Sequence, residues 1–189
     1  MKLNKFTRIA VAFVCLVLFA LVAHADNQPN RPFRIHELEE VGLEVWVPSN
    51  PEWVLAIDER ATANAVILST PPLYYPVTAI EIVLNKNTKV SNSDLLTVAN
   101  SSLDEVRRST NVKPRDKGQE LTKVKFGDIE AYQDQFDVTF EGKSYSMQTY
   151  MGVFPSGQTV TMLVTTPAGQ INDISVMRNK IFKKLSALP

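Results

Sequence analysis

Ile129-Glu130-Ala131-Tyr132-Gln133-Asp134-Gln135-Phe136-Asp137-Val138-Thr139-Phe140 runs into Glu141-Gly142-Lys143, then Ser144 to Phe154, then Pro155-Ser156-Gly157, then Gln158 to Thr166. Alternation places Tyr132, Asp134, Phe136, Val138 and Phe140 on one face of the first segment. Val160, Met162 and Val164 likewise share a face of the third. Connections this short, each with a glycine, reverse the chain tightly, so the three segments form an antiparallel meander. This meander decides the fold class, because a parallel sheet would need a crossover of a dozen or more residues at each join.

Upstream, Leu121 to Phe126 alternates into a Gly127-Asp128 turn and adds a fourth strand. Before it lies an amphipathic helix, with Leu95, Val98, Ala99, Ser102, Leu103 and Val106 on its buried face. Asn100, Asp104 and Arg107 are expected to face out. Ser91 or Ser93 is the expected cap, and Asp94 the acidic residue of the first turn. Further back, Leu43 to Pro48, Trp53 to Ile57, Ala65 to Leu68 and Val77 to Leu84 read as short strands. Thr70-Pro71-Pro72-Leu73-Tyr74-Tyr75-Pro76 is a loop, because its three prolines remove backbone donors that a central strand requires. After Pro167-Ala168-Gly169 a second helix starts near Asn172 or Asp173. Ile174, Met177, Ile181, Phe182, Leu185 and Leu188 form its buried stripe, and Arg178, Lys180, Lys183 and Lys184 favour its negative end.

The chain opens differently. Lys2, Lys5 and Arg8 precede the apolar run Ile9 to Val22, and Ala23-His24-Ala25 ends it with small residues. This is the three-part pattern of a secretory signal, with cleavage between Ala25 and Asp26. The run is shorter than the ~20 apolar residues of a spanning helix. Cys15 lies inside the run behind Phe13 and Val14, which excludes a lipid-attachment site. Residues 1–25 are thus the signal peptide, 26–32 a flexible leader and 33–189 one α+β domain. The protein is expected to be exported, periplasmic in a Gram-negative cell and otherwise secreted, with no stable membrane anchor after cleavage.

Cleavage changes the chemistry available. Twenty basic and twenty acidic side chains become seventeen against twenty once Lys2, Lys5 and Arg8 are gone, a net charge of −3. That charge leaves no basic face for nucleic acid. The single cysteine leaves with the signal, so no thiol nucleophile or disulfide remains. His36 is the one histidine left; it is expected to be solvated beside Arg34 and Leu38, opposite Phe33, Ile35 and Glu37. Phosphate-loop, dinucleotide, zinc-protease and nucleophile-elbow motifs are absent. Asp134 and Asp137 are three apart on a strand, hence on opposite faces and not a catalytic pair. Glu37, Glu39 and Glu40 read as a solvated edge or turn. No catalytic residue, cofactor or metal site is assigned.

The landmarks together resemble the Mog1/PsbP-like family. They are Val47-Pro48 followed by Trp53, the strand before the Leu95 helix, the Gly127-Asp128-Ile129-Glu130-Ala131 hairpin, the Ser156-Gly157-Gln158 hairpin and the closing Phe182-Lys183-Lys184-Leu185. The resemblance spans Gly42 to Leu188. It implies a twisted antiparallel sheet flanked by helices, an α-β-α sandwich, in proteins that are mostly non-catalytic binders or assembly factors. A non-enzymatic binding or accessory protein of the cell envelope, partnered by another envelope protein, is therefore the leading expectation. A carrier of a small apolar ligand or lipid and a carboxylate-based hydrolase are the alternatives. The candidate binding residues are aromatic: Tyr74 and Tyr75 in the proline loop, Trp46 and Trp53 about the Pro-Ser-Asn-Pro turn, and Tyr132 and Tyr150 on the central strands. Core packing accounts equally for the strand tyrosines, and Trp46 and Trp53 are expected to cover the end of the core.

Mass spectrometry of the protein recovered from outside the cytoplasm should show Asp26 as its first residue. Recovery of an intact Met1 would overturn the cleavage site.

Overall fold

The structure is a computed structural model describing residues 32–58, 63–116 and 118–188. The signal peptide and all of the leader except Pro32 lie outside these residues. Ten strands and two helices follow in order: β1 (Phe33–Leu38), β2 (Leu43–Pro48), β3 (Val54–Asp58), β4 (Ala65–Ser69), β5 (Ala79–Lys89), α1 (Leu95–Ser109), β6 (Thr122–Phe126), β7 (Ile129–Phe140), β8 (Lys143–Val153), β9 (Gln158–Pro167), α2 (Ser175–Lys183) and β10 (Ser186–Ala187). The meander appears as read, with Phe140 opposite Lys143 across one turn and Val153 opposite Thr159 across the next.

The strands make two sheets rather than the single one expected. Seven form an antiparallel sheet in the order β3-β4-β5-β9-β8-β7-β6, and β1-β2-β10 form a separate antiparallel sheet. Only the connection through α1 leaves a hairpin pattern in the large sheet. It carries the chain from β5 to the far edge at β6, so that β9 can return beside β5. The fold is thus α+β, with an antiparallel sheet flanked by two helices.

Successive residues of β8 point to opposite faces and bury different layers. On one face Tyr150 meets Phe126 of β6 and Phe182 of α2, all three rings edge to face with centroids 5.2 to 5.5 Å apart. Ile80, Ile82, Val160, Met162 and Val164 extend this core, which Leu43, Val45 and Val47 of the small sheet help to cover. On the other face Met151 and Val153 pack against Leu95, Ala99 and Leu103 of α1.

The i, i+4 stripe of α1 continues to Arg107, which is buried and not solvent-facing as expected. Its guanidinium straddles Asp134 of β7: Nε donates to Oδ2 at 2.5 Å and Nη2 to Oδ1 at 2.9 Å. The Phe136 ring lies beneath at 4.7 Å. A fork-to-fork geometry with aromatic support offsets the desolvation of both charges. Neither Ser91 nor Ser93 caps α1. The cap position is Asp94, whose side chain instead accepts a 2.6 Å hydrogen bond from Ser91 Oγ.

Two further expectations change. The second helix stops at Lys183, so Leu185 and Leu188 are not helical. The chain turns, Ser186 and Ala187 pair with Glu44 and Leu43, and Leu188 N–H donates to the Gly42 carbonyl at 2.9 Å. Pairing with the free edge of β2 satisfies backbone groups that another helical turn would leave at a fraying end. In β1 the faces are reversed. Arg34, His36 and Leu38 sit opposite Val47, Val45 and Leu43 and turn toward the core, while Ile35 and Glu37 are exposed. Burial and the neighbouring Arg34 guanidinium hold the His36 pKa below its ordinary value, with Glu52 pulling weakly the other way.

Asp134→Ala would strand the Arg107 charge under α1 and should cost about 3 kcal/mol or more in urea unfolding; a loss below about 1 kcal/mol would show that water replaces the carboxylate. Because the folded state lowers the His36 pKa, its contribution is complete above the unfolded value of about 6.5 and is lost as pH falls from there through the lower folded value. Stability measured from pH 7.5 to 5 should fall less steeply in His36→Gln than in the parent.

Candidate functional site

The β4–β5 loop carries the most distinctive surface. Pro71, Pro72 and Pro76 keep it out of the sheet, and the flanking threonines pin its base. Thr70 N–H donates to the Thr78 carbonyl at 3.0 Å, Thr78 N–H to Thr70 Oγ1 at 2.9 Å, and Thr78 Oγ1 to the Pro76 carbonyl at 2.9 Å. Tyr74 N–H closes an inner turn on the Pro71 carbonyl at 3.2 Å, and the Tyr75–Pro76 bond is cis.

This backbone separates the two tyrosines. Tyr74 turns inward onto Trp53, ring centroids 5.9 Å apart and nearly perpendicular. Trp53 is buried at the end of the β2–β3 turn, its backbone N–H donating to the Pro48 carbonyl at 2.9 Å. Tyr75 points outward, 71% exposed, between Leu73 at 102% and Val77 at 46%. Leu73 also adopts φ +68°, a left-handed conformation unusual for a bulky residue. An apolar side chain held fully in water on a strained backbone gains nothing from the fold. The loop is braced from inside and apolar outside.

The other aromatic candidates do not join it. Trp46 lies on the outer face of the small sheet, half-buried, and does not cover the end of the core. Its Nε1 donates to Glu44 Oε1 at 3.2 Å, Lys184 Nζ stands 4.9 Å from its ring, and Phe33 packs at 6.5 Å. Tyr132 packs on the α1 side and Tyr150 on the α2 side, so they line no common pocket. Burial raises the Tyr150 pKa to about 12, against the opposing pull of Arg178, and keeps its hydroxyl protonated. That hydroxyl donates to Gln148 Oε1 at 2.9 Å. Asp134 is taken by Arg107, and Asp137 accepts Ser146 Oγ at 2.6 Å.

A cleft of about 1150 Å³ opens at the opposite end of the molecule. Buried Leu84, Ile129, Phe154 and Leu185 line it, together with exposed Lys89, Lys183, Lys184, Glu37, Glu39 and Asp128. Its rim has both signs of charge in equal number and selects neither. Gly127 shapes one wall: at φ +56°, any Cβ there would meet the Lys183 carbonyl at 2.6 Å. Among the described residues no three His, Cys, Asp or Glu side chains gather as a metal site, and no helix is long and apolar enough to cross a membrane.

The fold has relatives among solved structures. One is a Bacteroides thetaiotaomicron protein, known from a 1.50 Å crystal structure, with TM-score 0.53 and 14% identity over 78% of this chain and 46% of that one. Another is LpqN, described as involved in cell envelope biogenesis of Mycobacterium tuberculosis, with TM-score 0.50 and 16% identity over 78% of this chain and 83% of that one. The likeness is one of fold. The chain spans about half the length of the Bacteroides protein. No protein-family profile and no curated protein matches the sequence.

Leu73 and Val77 were missing from the aromatic reading: Leu73 lies among the prolines of the loop, and Val77 was read as the start of the next strand, which begins at Ala79. Leu73→Gly removes the left-handed strain but adds chain entropy to the unfolded state, two effects of about 1 kcal/mol each. Thermal unfolding should therefore move by no more than a few degrees; a large loss would mean that Leu73 packs in the fold.

Proposed function

We propose that this protein is a non-catalytic binding or assembly factor of the cell envelope, working outside the cytoplasm and engaging another envelope protein through its β4–β5 loop. The observation that carries this reading is the exposed Leu73, Tyr75 and Val77 edge, held in place by the Thr70–Thr78 base and the Tyr74–Trp53 contact. Apolar side chains fixed in water bury favourably only against something else, and aromatic anchors on a rigid support bind with little ordering cost. The signal-like N-terminus and the fold likeness to LpqN, described as involved in envelope biogenesis, support the compartment. Kinship with Mog1/PsbP-like proteins belongs to the same proposal; it agrees with the helices on opposite faces of an antiparallel sheet.

The two alternatives find less support. A carrier of an apolar ligand needs an enclosed apolar cavity, and the layer beneath α2 is filled by the Phe126, Tyr150 and Phe182 rings. A carboxylate hydrolase needs two carboxyl groups facing across a cleft, whereas Asp134 and Asp137 occupy opposite faces of β7, each with its own partner.

A photo-reactive phenylalanine analogue at position 75 should cross-link in intact cells to one discrete envelope protein. The same group at exposed Lys113 should not, and adding Leu73→Gly should remove the product. Identical adducts from both positions, or none from position 75, would overturn the proposal.

A further inference from the structure

Arg107 and Arg178 are equally buried, each 8% exposed, yet they are treated differently. The Arg107 fork is filled by the Asp134 carboxylate, and the buried Arg115 guanidinium meets Asp104 Oδ1 at 2.9 Å. Arg178 has no carboxylate within ion-pair distance among the described residues. Its Nη1 donates to Gln148 Oε1, its Nε donates to Asn179 Oδ1 at 3.1 Å, and the Tyr150 ring lies 5.8 Å from its central carbon. Two amide oxygens and a ring face return less than the hydration a buried guanidinium gives up.

The hydrogen bonds around it leave one kind of group over. Gln148 Oε1 already accepts from both Tyr150 Oη and Arg178 Nη1, which uses its two lone pairs. Gln148 Nε2 donates to Gln135 Oε1 at 2.7 Å. These contacts fix both amide orientations, so Gln135 presents its Nε2 outward from an exposed position. Among the described residues Arg178 Nη2 has no acceptor, and it is not among the atoms sealed from solvent. Asp137, two residues along the same face of β7, is held by Ser146 Oγ, which also accepts the Gly169 N–H at 3.0 Å. Arg178 Nη2 and Gln135 Nε2 are thus left as unused donors beside a Gln148 Oε1 whose two lone pairs are taken.

We propose that Arg178 and Gln135, set in place by Gln148 and Tyr150, form a binding site for a carboxylate, with Arg178 Nη2 and Gln135 Nε2 donating to it. A carboxylate supplies the missing counter-charge and two acceptor oxygens, one for Arg178 Nη2 and one for Gln135 Nε2. The site uses none of the β4–β5 loop residues, so it stands or falls apart from the function proposed above.

The test is an NMR titration of the ¹⁵N-labelled protein with sodium acetate, against sodium chloride at equal ionic strength. The Arg178 Nε–H signal and the side-chain amides of Gln135 and Gln148 report the site. Acetate should give saturating shifts at these groups and chloride should not. Arg178→Lys keeps the charge but loses the fork, and should bind acetate about tenfold more weakly. Gln135→Leu is at an exposed position and should also weaken binding; it provides the answer if Arg178→Lys does not fold. A blocked peptide with one glutamate and a peptide with a free C-terminal carboxylate distinguish the sources. Tighter binding of either over acetate assigns a protein-borne carboxylate, and equal binding assigns a small free one. Equal shifts with chloride, shifts that never saturate, or undiminished binding in Gln135→Leu would overturn the site.

Discussion

β8 is buried on both faces, and the rest of the structure is organised by that fact. From Ser146 to Val153 every residue is buried, so the alternation of the strand sets two interiors at once. Tyr150 and Phe154 serve the layer shared with α2 and the small sheet, while Met151 and Val153 serve the layer under α1. A slip of one residue would exchange the two sets and spoil both layers. β7 and β9 inherit the same parity through their pairing with β8, and with it the faces to which Asp134, Gln135 and Val164 point.

Such strict alternation made the meander legible in advance. Two glycine-containing turns and three period-two segments leave little freedom, and the structure places these strands within a residue or two of the reading. Elsewhere, distant neighbours decided the outcome. Arg107 and Arg178 both sit on the buried stripe of a helix, but a charged residue reads as solvent-facing until its partner is known. That partner lies 27 residues away for Arg107 and 30 for Arg178. α2 ends early because an unpaired strand edge competes for its last residues. The reversed faces of β1 have the same origin: pairing with β2 placed His36 opposite Val45, and no local pattern encodes that register.

The candidate surface was legible in outline only. Prolines announce the β4–β5 loop, yet which of two adjacent tyrosines faces outward depends on Trp53, delivered by another turn. The same contact explains why the loop is firm enough to display Leu73 and Val77. Trp46 and Trp53, seven residues apart around a proline turn, read alike in sequence but end on the outside of one sheet and inside the core. Aromatic character identifies residues worth locating; burial depends on the layers around them.

The joining of β10 to β2 also bears on the order in which the molecule can be completed. Ser186 Oγ reaches Glu44 across 142 residues of chain, so the small sheet gains its third strand only when nearly all the domain is present. During synthesis from the N-terminus, β2 must wait with one backbone edge open and Leu43, Val45 and Val47 still lacking the helix and sheet that enclose them. Contacts of such separation form late, because the intervening loop must be closed before they return any stability. The meander and the β1–β2 hairpin rest on local pairings, whereas the third strand of the small sheet requires the two far ends of the domain to meet.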